Sequence, residues 1–271
     1  ICLSIIMCGL CGIFSLTGRP ITEAARRIHL MTSLLRHRGP DSQGILVSDD
    51  GRVALGNTRL AVTDPGAPIQ VPLRTEDKAA AISFNGEIYN YASLRDDLES
   101  KGVRFRYRTD TEVLLEGLRR EGEGLLGRLD GMWAFAYYDV PQQELLISRD
   151  LLGERHVFYR VLDGELIFAS EPLPVLADAA RSEDVDLEGL VSALRFYAAP
   201  PGRTLVKGLR RLRPGHNLRA SREGEISEYR YCRLHPEKWQ DYFRAQPDLD
   251  AVIETFEDIM QRVSLGRLPP D

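Results

Sequence analysis

Short strand-like segments linked by turn residues place the strongest constraint on the fold of this chain. Residues 132–138, 144–148, 157–159 and 166–169 are rich in aromatic and β-branched side chains, which favour strands. The last two segments are separated by Asp163-Gly164, a dipeptide typical of a tight hairpin turn. Strands joined by hairpins pair antiparallel, so the pattern predicts antiparallel sheets rather than repeated strand–helix–strand units.

The first half of the chain adds strands of the same kind. Apolar and small residues at 8–16 predict a buried strand that ends before Gly18. Residues 45–47 and 53–55 flank a second hairpin turn, and residues 79–84 predict a further strand. These segments extend the antiparallel pattern toward the N-terminus.

Three helices are predicted between these strands. The first carries apolar residues at helical spacing and ends at Gly39-Pro40. The second passes through Leu94 and Leu98, and the third begins at Thr109, where Thr109 and Glu112 have the spacing of a capping box. Paired helices beside hairpin-linked strands predict a layered α+β fold.

Composition and charge exclude several classes of protein. The 271 residues are 43% hydrophobic and 28% charged, which allows a full core and excludes a disordered, collagen-like or multi-pass membrane chain. The formal net charge of -5 gives no electrostatic reason to expect a nucleic acid as partner. We therefore expect a small ligand or a protein partner, in a chain long enough for about two domains.

The cysteines and the first residues predict a cytoplasmic protein. Four cysteines in a chain of this size do not make a disulfide framework, which indicates a reducing compartment. The uncharged residues 1–16 are too few to span a membrane, and no Lys or Arg precedes them as an export signal requires. The chain starts with Ile, and its first methionine is Met7.

The composition changes toward the C-terminus. Residues 203–222 are basic and contain several Gly and Pro residues, and residues 249–263 predict a helix close to the end of the chain. A helix that leads into Pro269-Pro270-Asp271 with nothing after it is expected to be a cut through a longer protein. The sequence thus predicts a main domain followed by the beginning of another.

Cys8 is open to three interpretations. It can be a small buried hydrophobe of the first strand, as most strand cysteines are. Cys8 and Cys11, together with Cys232 and His235, also have the ligand types of a zinc site. In the third interpretation, removal of Met7 makes Cys8 the N-terminal residue, which then carries a thiol nucleophile and an amine base near neutral pH.

Three further positions are ambiguous when taken singly. Asn85-Gly86 is typical of a hairpin turn, but the Asn85 amide and the Gly86 N–H can also face a developing oxyanion. Asp110 lies in the first turn of a predicted helix, where the helix dipole favours an acid for structural reasons alone. Arg59 by itself is interpreted as a surface residue.

Taken together, six segments resemble the glutamine-hydrolysing asparagine synthetases, a branch of the class II glutamine amidotransferases. They occur in the order of that family, and the resemblance covers about residues 7–218. The segments are Met7-Cys8-Gly9-Leu10-Cys11-Gly12-Ile13-Phe14, Arg36-His37-Arg38-Gly39-Pro40-Asp41, Asn57-Thr58-Arg59-Leu60, Phe84-Asn85-Gly86-Glu87-Ile88-Tyr89-Asn90, Thr109-Asp110-Thr111-Glu112 and Ser148-Arg149-Asp150-Leu151-Leu152-Gly153.

The resemblance implies an N-terminal-nucleophile fold of four layers, αββα, with two stacked antiparallel sheets between helices. The implied reaction is hydrolysis of glutamine to glutamate and ammonia. Cys8 is the implied nucleophile, and its own amine is the implied proton shuttle. Asn85 and Gly86 form the implied oxyanion hole.

Substrate contacts are implied as well. Arg59 would bind the α-carboxylate of glutamine, whereas Glu87 and Asp110 would hold its α-ammonium. Backbone groups of Leu60 and Val62 supply further contacts in this family. One cation and two anions complement a zwitterionic amino acid.

The resemblance also divides the chain. Residues 1–7 are expected to be absent from the mature enzyme, either because translation starts at Met7 or because a propeptide is cleaved. Residues 8–230 are the expected glutaminase domain, and residues 231–271 are the expected connector and start of a missing synthetase domain.

No metal or cofactor is implied for the glutaminase domain, whereas ATP and Mg²⁺ are implied for the missing one, which would amidate aspartate. The expected partners are glutamine and that missing domain, with a homodimer left open and neither nucleic acid nor membrane expected.

Departures from the family pattern leave other functions open. After Gly153, Glu154-Arg155-His156-Val157-Phe158-Tyr159 replaces the usual Ile-Lys-Pro-Leu-Tyr-Tyr, and Ser170-Glu171-Pro172-Leu173 lacks the usual Lys. One alternative is the amidotransferase-like domain of a synthetase that forms a specialised amide or a β-lactam. A second alternative is a non-catalytic binding domain. Such specialised relatives commonly lack the nucleophile, so the retained Cys8 favours a glutaminase over the first alternative.

Overall fold

The computed structural model describes residues 7–61, 69–179, 184–233, 236–245 and 248–266. They form two compact units, which divide between Tyr231 and Cys232. The strands described in the first unit are β1 (Gly9–Ser15), β2 (Ser42–Val47), β3 (Val53–Arg59), β4 (Leu73–Arg74), β5 (Ala80–Ile88), β6 (Gly131–Asp139), β7 (Glu144–Arg149), β8 (Phe158–Leu162), β9 (Glu165–Ala169), β10 (Arg210–Arg211), β11 (His216–Ala220) and β12 (Ile226–Arg230). Its helices are α1 (Ala24–Ser33), α2 (Tyr91–Ser100), α3 (Asp110–Glu121), α4 (Pro172–Ala179) and α5 (Leu187–Phe196), with a 3₁₀ turn at Gly122–Arg128.

The strands of the first unit form two six-stranded sheets. The strand order is β10-β8-β9-β1-β3-β2 in the first sheet and β12-β11-β7-β6-β5-β4 in the second. All ten described strand pairs are antiparallel. The antiparallel sheets predicted from the hairpin pattern are therefore confirmed.

Apolar side chains on facing strands hold the two sheets together. Leu10 and Phe14 of β1 pack in one buried cluster with Ala81 of β5 and Ile147 of β7. On the outer face of the first sheet, Cys11 and other β1 side chains pack against α1, and α2 and α3 cover the outer face of the second sheet. The resulting order of helix, sheet, sheet and helix confirms the four-layer αββα expectation.

The second unit begins at Cys232 and contains two described helices, α6 (Pro236–Ala245) and α7 (Leu249–Gly266). The Tyr242 hydroxyl lies 2.8 Å from the Thr255 hydroxyl, which joins the two helices. None of the helices in the described ranges is long and apolar enough to cross a lipid bilayer.

Two predicted boundaries were wrong. α1 ends at Ser33 and passes into turns, so the helix stops before Gly39-Pro40 rather than at it. β5 continues to Ile88 instead of ending at residue 84. The extension matters because it places Asn85-Gly86 within a strand.

Candidate active site

Alternation along β1 directs Cys8 toward the gap between the sheets. Leu10 and Phe14 pack in the core between the sheets, whereas Cys11 and Ile13 pack on the side of α1. Successive side chains of a strand point to opposite faces, so Cys8 shares the inner face with Leu10. It precedes the first residue of the strand, at the end of the sandwich where the apolar core stops.

β3 repeats this pattern beside β1. Val53 and Leu55 belong to the core between the sheets, and the same two-residue period continues through Asn57 to Arg59. The inner face of β3 thus changes along its length from apolar residues to an amide and then to a cation. Arg59 lies at the end of the strand, beside the start of β1.

β5 brings Asn85 and Glu87 to the same end from the second sheet. Ala81 packs between the sheets, and the Ser83 hydroxyl donates across the gap to the Gly56 carbonyl at 2.8 Å. By the two-residue period, Asn85 and Glu87 face the first sheet as well. The hairpin-turn interpretation of Asn85-Gly86 is wrong, because these residues pair with Ala134 and Trp133 inside the β5–β6 ladder.

A glycine is required at position 86. A Cβ atom built there would lie 2.2 Å from the Met132 carbonyl oxygen and 2.8 Å from Trp133 Cα. No ordinary side chain fits against backbone at those distances. The Gly of this pair therefore serves close strand packing rather than a tight turn.

α3 supplies Asp110 from its first turn. The Asp110 carboxylate accepts hydrogen bonds from the backbone N–H groups of Ile88 at 3.1 Å and Thr111 at 2.7 Å. Burial nevertheless raises the pKa of Asp110 to about 6, with the negative charge of Glu87 acting in the same direction. The structure thus places the buried Asp110 carboxylate close to a second acid, Glu87, although buried positions normally carry neutral residues.

The helix start itself differs in part from a capping box. Thr109 caps α3 by accepting from the Glu112 N–H at 3.3 Å, as predicted. The Glu112 side chain does not return to Thr109 but accepts from the backbone N–H groups of Arg106 and Tyr107. Glu112 therefore fixes the loop before the helix.

These elements enclose a pocket of about 290 Å³ at the end of the sandwich, close to the lower size limit for small-molecule sites. The structure brings seven of the eight predicted site residues to its wall: Cys8, Arg59, Leu60, Asn85, Gly86, Glu87 and Asp110. Val62, the eighth, lies outside the described residues. Met7, Asn57, Thr109, Met132 and Arg155 are further wall residues.

The Cys8 thiol faces the backbone of Leu60. The Leu60 N–H donates to Cys8 Sγ at 3.3 Å, and the Leu60 carbonyl oxygen lies 3.7 Å from the same sulfur. Burial raises the pKa of Cys8, while the Leu60 hydrogen bond and the Arg59 charge lower it. Because burial works against ionisation, a thiol in this position would need a nearby base in order to act as a nucleophile.

Asn85 carries the most informative contact pattern in the pocket. Its side chain is 1% exposed, yet neither Oδ1 nor Nδ2 has a hydrogen-bond partner in the part of the chain that the structure describes. Buried amides are normally satisfied, and an empty one in a pocket wall indicates a group that a ligand completes. The Nδ2 donor can stabilise an oxyanion in the same pocket as the Cys8 thiol.

A second contact holds the backbone of Cys8. Arg38 donates from Nε to the Cys8 carbonyl at 3.1 Å and from Nη1 to Glu171 at 2.8 Å. His37 also contacts the Glu171 carboxylate, at 2.9 Å. Glu171 lies two residues after the end of β9, so the segment without the usual Lys contributes to holding the Cys8 backbone in place.

The zinc interpretation is not supported by this geometry. Cys11 is fully buried, with Sγ 3.5 Å from the Thr32 hydroxyl of α1, whereas Cys8 faces the pocket on the other side of β1. Two thiols on opposite faces of a strand cannot bind one ion. No group of three potential metal ligands occurs within the described ranges, and His235 lies outside them.

The sequence analysis did not predict that Asn57, Met132 and Arg155 line the pocket. The position of Asn57 could have been predicted, because it lies two residues before Arg59 and successive side chains of a strand alternate between its faces. Its amide therefore shares the inner face of β3 with Arg59. Met132 faces Glu87 in the β5–β6 register, which required knowledge of the pairing. Arg155 lies in the segment that departs from the family pattern, and its Nη2 reaches Met132 Sδ at 2.5 Å.

Comparisons with known proteins match most of this chain to one family. The family model described as the glutamine amidotransferase domain matches residues 7–232. A glutamine-hydrolysing asparagine synthetase of Bacillus subtilis is 34% identical over 232 residues, which cover 84% of this chain and 36% of the relative. A second from the same organism is 31% identical over 267 residues, or 97% of this chain and 42% of the relative. The chain thus spans less than half the length of these curated relatives.

Solved structures support the fold. The phosphoribosylpyrophosphate amidotransferase of B. subtilis superposes with a TM-score of 0.62 at 20% identity, covering 83% of this chain and 50% of that one. A structure of the allosteric regulatory enzyme of purine biosynthesis gives 0.63 at 21% identity, covering 83% of this chain and 49% of that one. With the family match and the curated relatives, these findings show that the chain belongs to the glutamine amidotransferase family, as a class II domain related to the glutamine-hydrolysing asparagine synthetases.

Proposed function

We propose that this chain is the glutaminase portion of a glutamine-dependent asparagine synthetase and hydrolyses glutamine to glutamate and ammonia. The observation that carries the proposal is a thiol and an unpartnered buried amide, Cys8 and Asn85, in the wall of one pocket. A nucleophile needs a base and an oxyanion donor to cleave an amide. Cys8 supplies the thiol and, when it is the first residue, the amine, and Asn85 supplies the donor.

The charged residues of the pocket suit an amino acid substrate. Arg59 offers a guanidinium to the α-carboxylate of glutamine, and Glu87 and Asp110 offer two acids to its α-ammonium. Backbone groups of Leu60 and Val62 complete the expected contacts. Recognition of both charged ends would leave the side-chain amide to reach Cys8.

The proposed reaction begins at the Cys8 thiol. Cys8 Sγ bonds to the side-chain carbonyl carbon of glutamine, and its proton passes to the Cys8 α-amine. Asn85 and Gly86 stabilise the tetrahedral oxyanion. The amine returns the proton to the leaving nitrogen as the C–N bond breaks, so ammonia departs. Water then cleaves the thioester, which releases glutamate and restores the thiol.

The fate of the ammonia rests on the relatives. Both B. subtilis proteins bear the name asparagine synthetase, and this chain covers only 36% and 42% of them. We propose that residues 8–230 form the glutaminase domain and that residues 231–271 lead into a synthetase domain, where ammonia amidates aspartate with ATP. A cytoplasmic location and glutamine as substrate are part of the same proposal.

A direct assay tests the glutaminase step. Protein beginning at Cys8 is expected to release equal amounts of glutamate and ammonia from glutamine, and none from asparagine, whose amide lies one methylene short of Cys8. A glutamine-like diazo ketone should alkylate Cys8 alone among the cysteines. Protein that binds glutamine but releases no glutamate would instead be a non-catalytic binding domain.

Asn85→Ala is expected to lower kcat for glutamine hydrolysis by about 10²–10³-fold, the range for loss of one oxyanion donor. KM should change little, because the residues offered to the charged ends of glutamine are untouched. Asn85→Asp is the matched variant: it keeps the size of the side chain but places an acid against the oxyanion, so its kcat should fall at least as far. A decrease of only a few-fold in both variants would remove Asn85 from the oxyanion hole.

The KM for glutamine is expected to rise as the pH falls through about 6. Asp110 has a raised pKa of about 6 in the folded protein, so it is ionised above that pH and becomes neutral below it. The neutral form cannot pair with the α-ammonium of glutamine. Steady-state kinetics between about pH 5 and about pH 8 should show this rise in KM at low pH for the wild type and not for Asp110→Asn. A pH-independent wild-type KM would exclude Asp110 from substrate binding.

A further inference from the structure

Asn57 lies between the two groups on which the proposed reaction depends. It belongs to β3 in the first sheet, is 3% exposed, and directs its amide across the gap toward β5 in the second. Nδ2 donates to the Gly9 carbonyl at 2.7 Å and to the Phe84 carbonyl at 3.2 Å. Gly9 directly follows Cys8, and Phe84 directly precedes Asn85, so one amide joins the neighbours of both groups.

The Asn57 amide has little capacity left for a substrate. Its nitrogen carries two hydrogens, and the Gly9 and Phe84 carbonyls take both, with a longer contact of 3.4 Å to Thr58. Oδ1 accepts from the Phe84 N–H at 3.4 Å. Asn85 shows the opposite pattern, with both amide atoms unpartnered among the described residues. Of these two buried amides in one pocket wall, Asn57 therefore bonds to the protein backbone, whereas Asn85 can bond to a ligand.

We propose that Asn57 is a positioning residue that fixes the distance between Cys8 Sγ and the Asn85 amide. The inference rests on the proposed glutaminase function and deepens it. The two groups belong to different sheets, so no single β-ladder sets their spacing. Asn57 bonds both strands one residue from the reacting groups, where a small shift of either strand changes their separation directly.

Ser83 provides the matched control for this role. Its hydroxyl makes another bond between the sheets, to the Gly56 carbonyl at 2.8 Å, and it is fully buried. Neither Ser83 nor Gly56 adjoins Cys8 or Asn85 in the chain. Ser83→Ala therefore removes a comparable buried hydrogen bond between the sheets without releasing the neighbours of the reacting groups.

The test compares Asn57→Ala and Ser83→Ala with wild-type protein in glutamine hydrolysis. We expect Asn57→Ala to lower kcat by about 10²-fold, the size of loss that a shift of about 1 Å can cause. KM should stay within about threefold, because Arg59, Glu87 and Asp110 keep their places. Ser83→Ala should keep kcat within about threefold while losing similar thermal stability.

Two further measurements separate positioning from general damage. Alkylation of Cys8 by iodoacetamide needs no oxyanion donor, so its rate should stay within about threefold of wild type in Asn57→Ala. Asn57→His keeps one ring N–H near the place of Nδ2 and should recover part of kcat. If Asn57→Ala does not fold, the kcat and KM of Asn57→His are compared with those of Ser83→Ala instead.

The outcomes are distinct. The role of Asn57 is contradicted if Asn57→Ala keeps kcat, if KM rises in place of the kcat loss, or if Ser83→Ala loses as much kcat. Wild-type protein that begins at Cys8 and releases no ammonia would instead contradict the proposed function, and this role with it.

Discussion

Cys8→Ala is expected to abolish glutamine hydrolysis, with a loss of ~10⁴-fold or more in kcat. The substitution removes the proposed nucleophile, and the remaining oxyanion donor cannot form a thioester. The fold should survive, because Cys8 precedes the first residue of β1 and, within the described part of the chain, its thiol makes polar contacts only with the Leu60 backbone. We expect a change in the free energy of unfolding of about 1 kcal/mol. Ammonia release and a thermal melt measure the two quantities.

Cys11→Ala is the matched control for this prediction. It removes the same atom from the same segment, but Cys11 faces α1 on the outer side of the sheet. We expect this variant to lose stability by cavity formation and to keep its kcat. Continued hydrolysis by Cys8→Ala at the wild-type rate, or equal losses of kcat in both variants, would show that Cys8 is not the nucleophile.

The sequence was sufficient to predict the sheet architecture and seven residues of the pocket wall. Hairpin-linked strands predicted antiparallel pairing, and the resemblance supplied the stacking of two sheets. The two-residue period along β1, β3 and β5 then explains why Cys8, Arg59 and Asn85 meet. Each lies on an inner face where its strand passes beyond the apolar core.

Other features depended on contacts between distant segments. Asn85-Gly86 has the composition of a turn, but antiparallel pairing with Ala134 and Trp133 keeps it in a strand. Cross-strand packing decided this conformation, and the local propensity did not. The hydrogen bonds of Asn57 join residues 27 and 48 positions away, which no local pattern encodes.

The raised pKa of Asp110 means that its ionised form costs folding stability. Because its folded-state pKa of about 6 exceeds the usual 3.8, ionisation of Asp110 opposes folding. The contribution of neutral Asp110 to the free energy of unfolding is fully present below about pH 4. As the pH rises through about 6, the free energy of unfolding decreases by about 3 kcal/mol. A bound ammonium group would offset this loss, so glutamine should stabilise the protein more at neutral pH than near pH 5.

Removal of residues 1–7 is expected to be required for activity. An α-amine has a pKa of about 8 and can accept the Cys8 proton, whereas the nitrogen of a Met7–Cys8 peptide bond is an amide without basicity. Proton transfer of this kind contributes about 10²–10⁴-fold to rates. Met7 also lines the pocket, so its retention would fill space next to the thiol as well as acylate the amine.

Intact-mass spectrometry of active material measures this directly. Protein produced from the Met7 codon should lose that residue to aminopeptidase, begin at Cys8, and hydrolyse glutamine. Protein made from Ile1 and left unprocessed should fold and bind glutamine weakly but release no ammonia. The matched control adds Ala before Cys8, which blocks the amine with the smallest side chain. Full activity in a sample whose mass retains residues 1–7 would require another base, and His37, which lies one residue from the Arg38 that holds the Cys8 carbonyl, would be the first candidate.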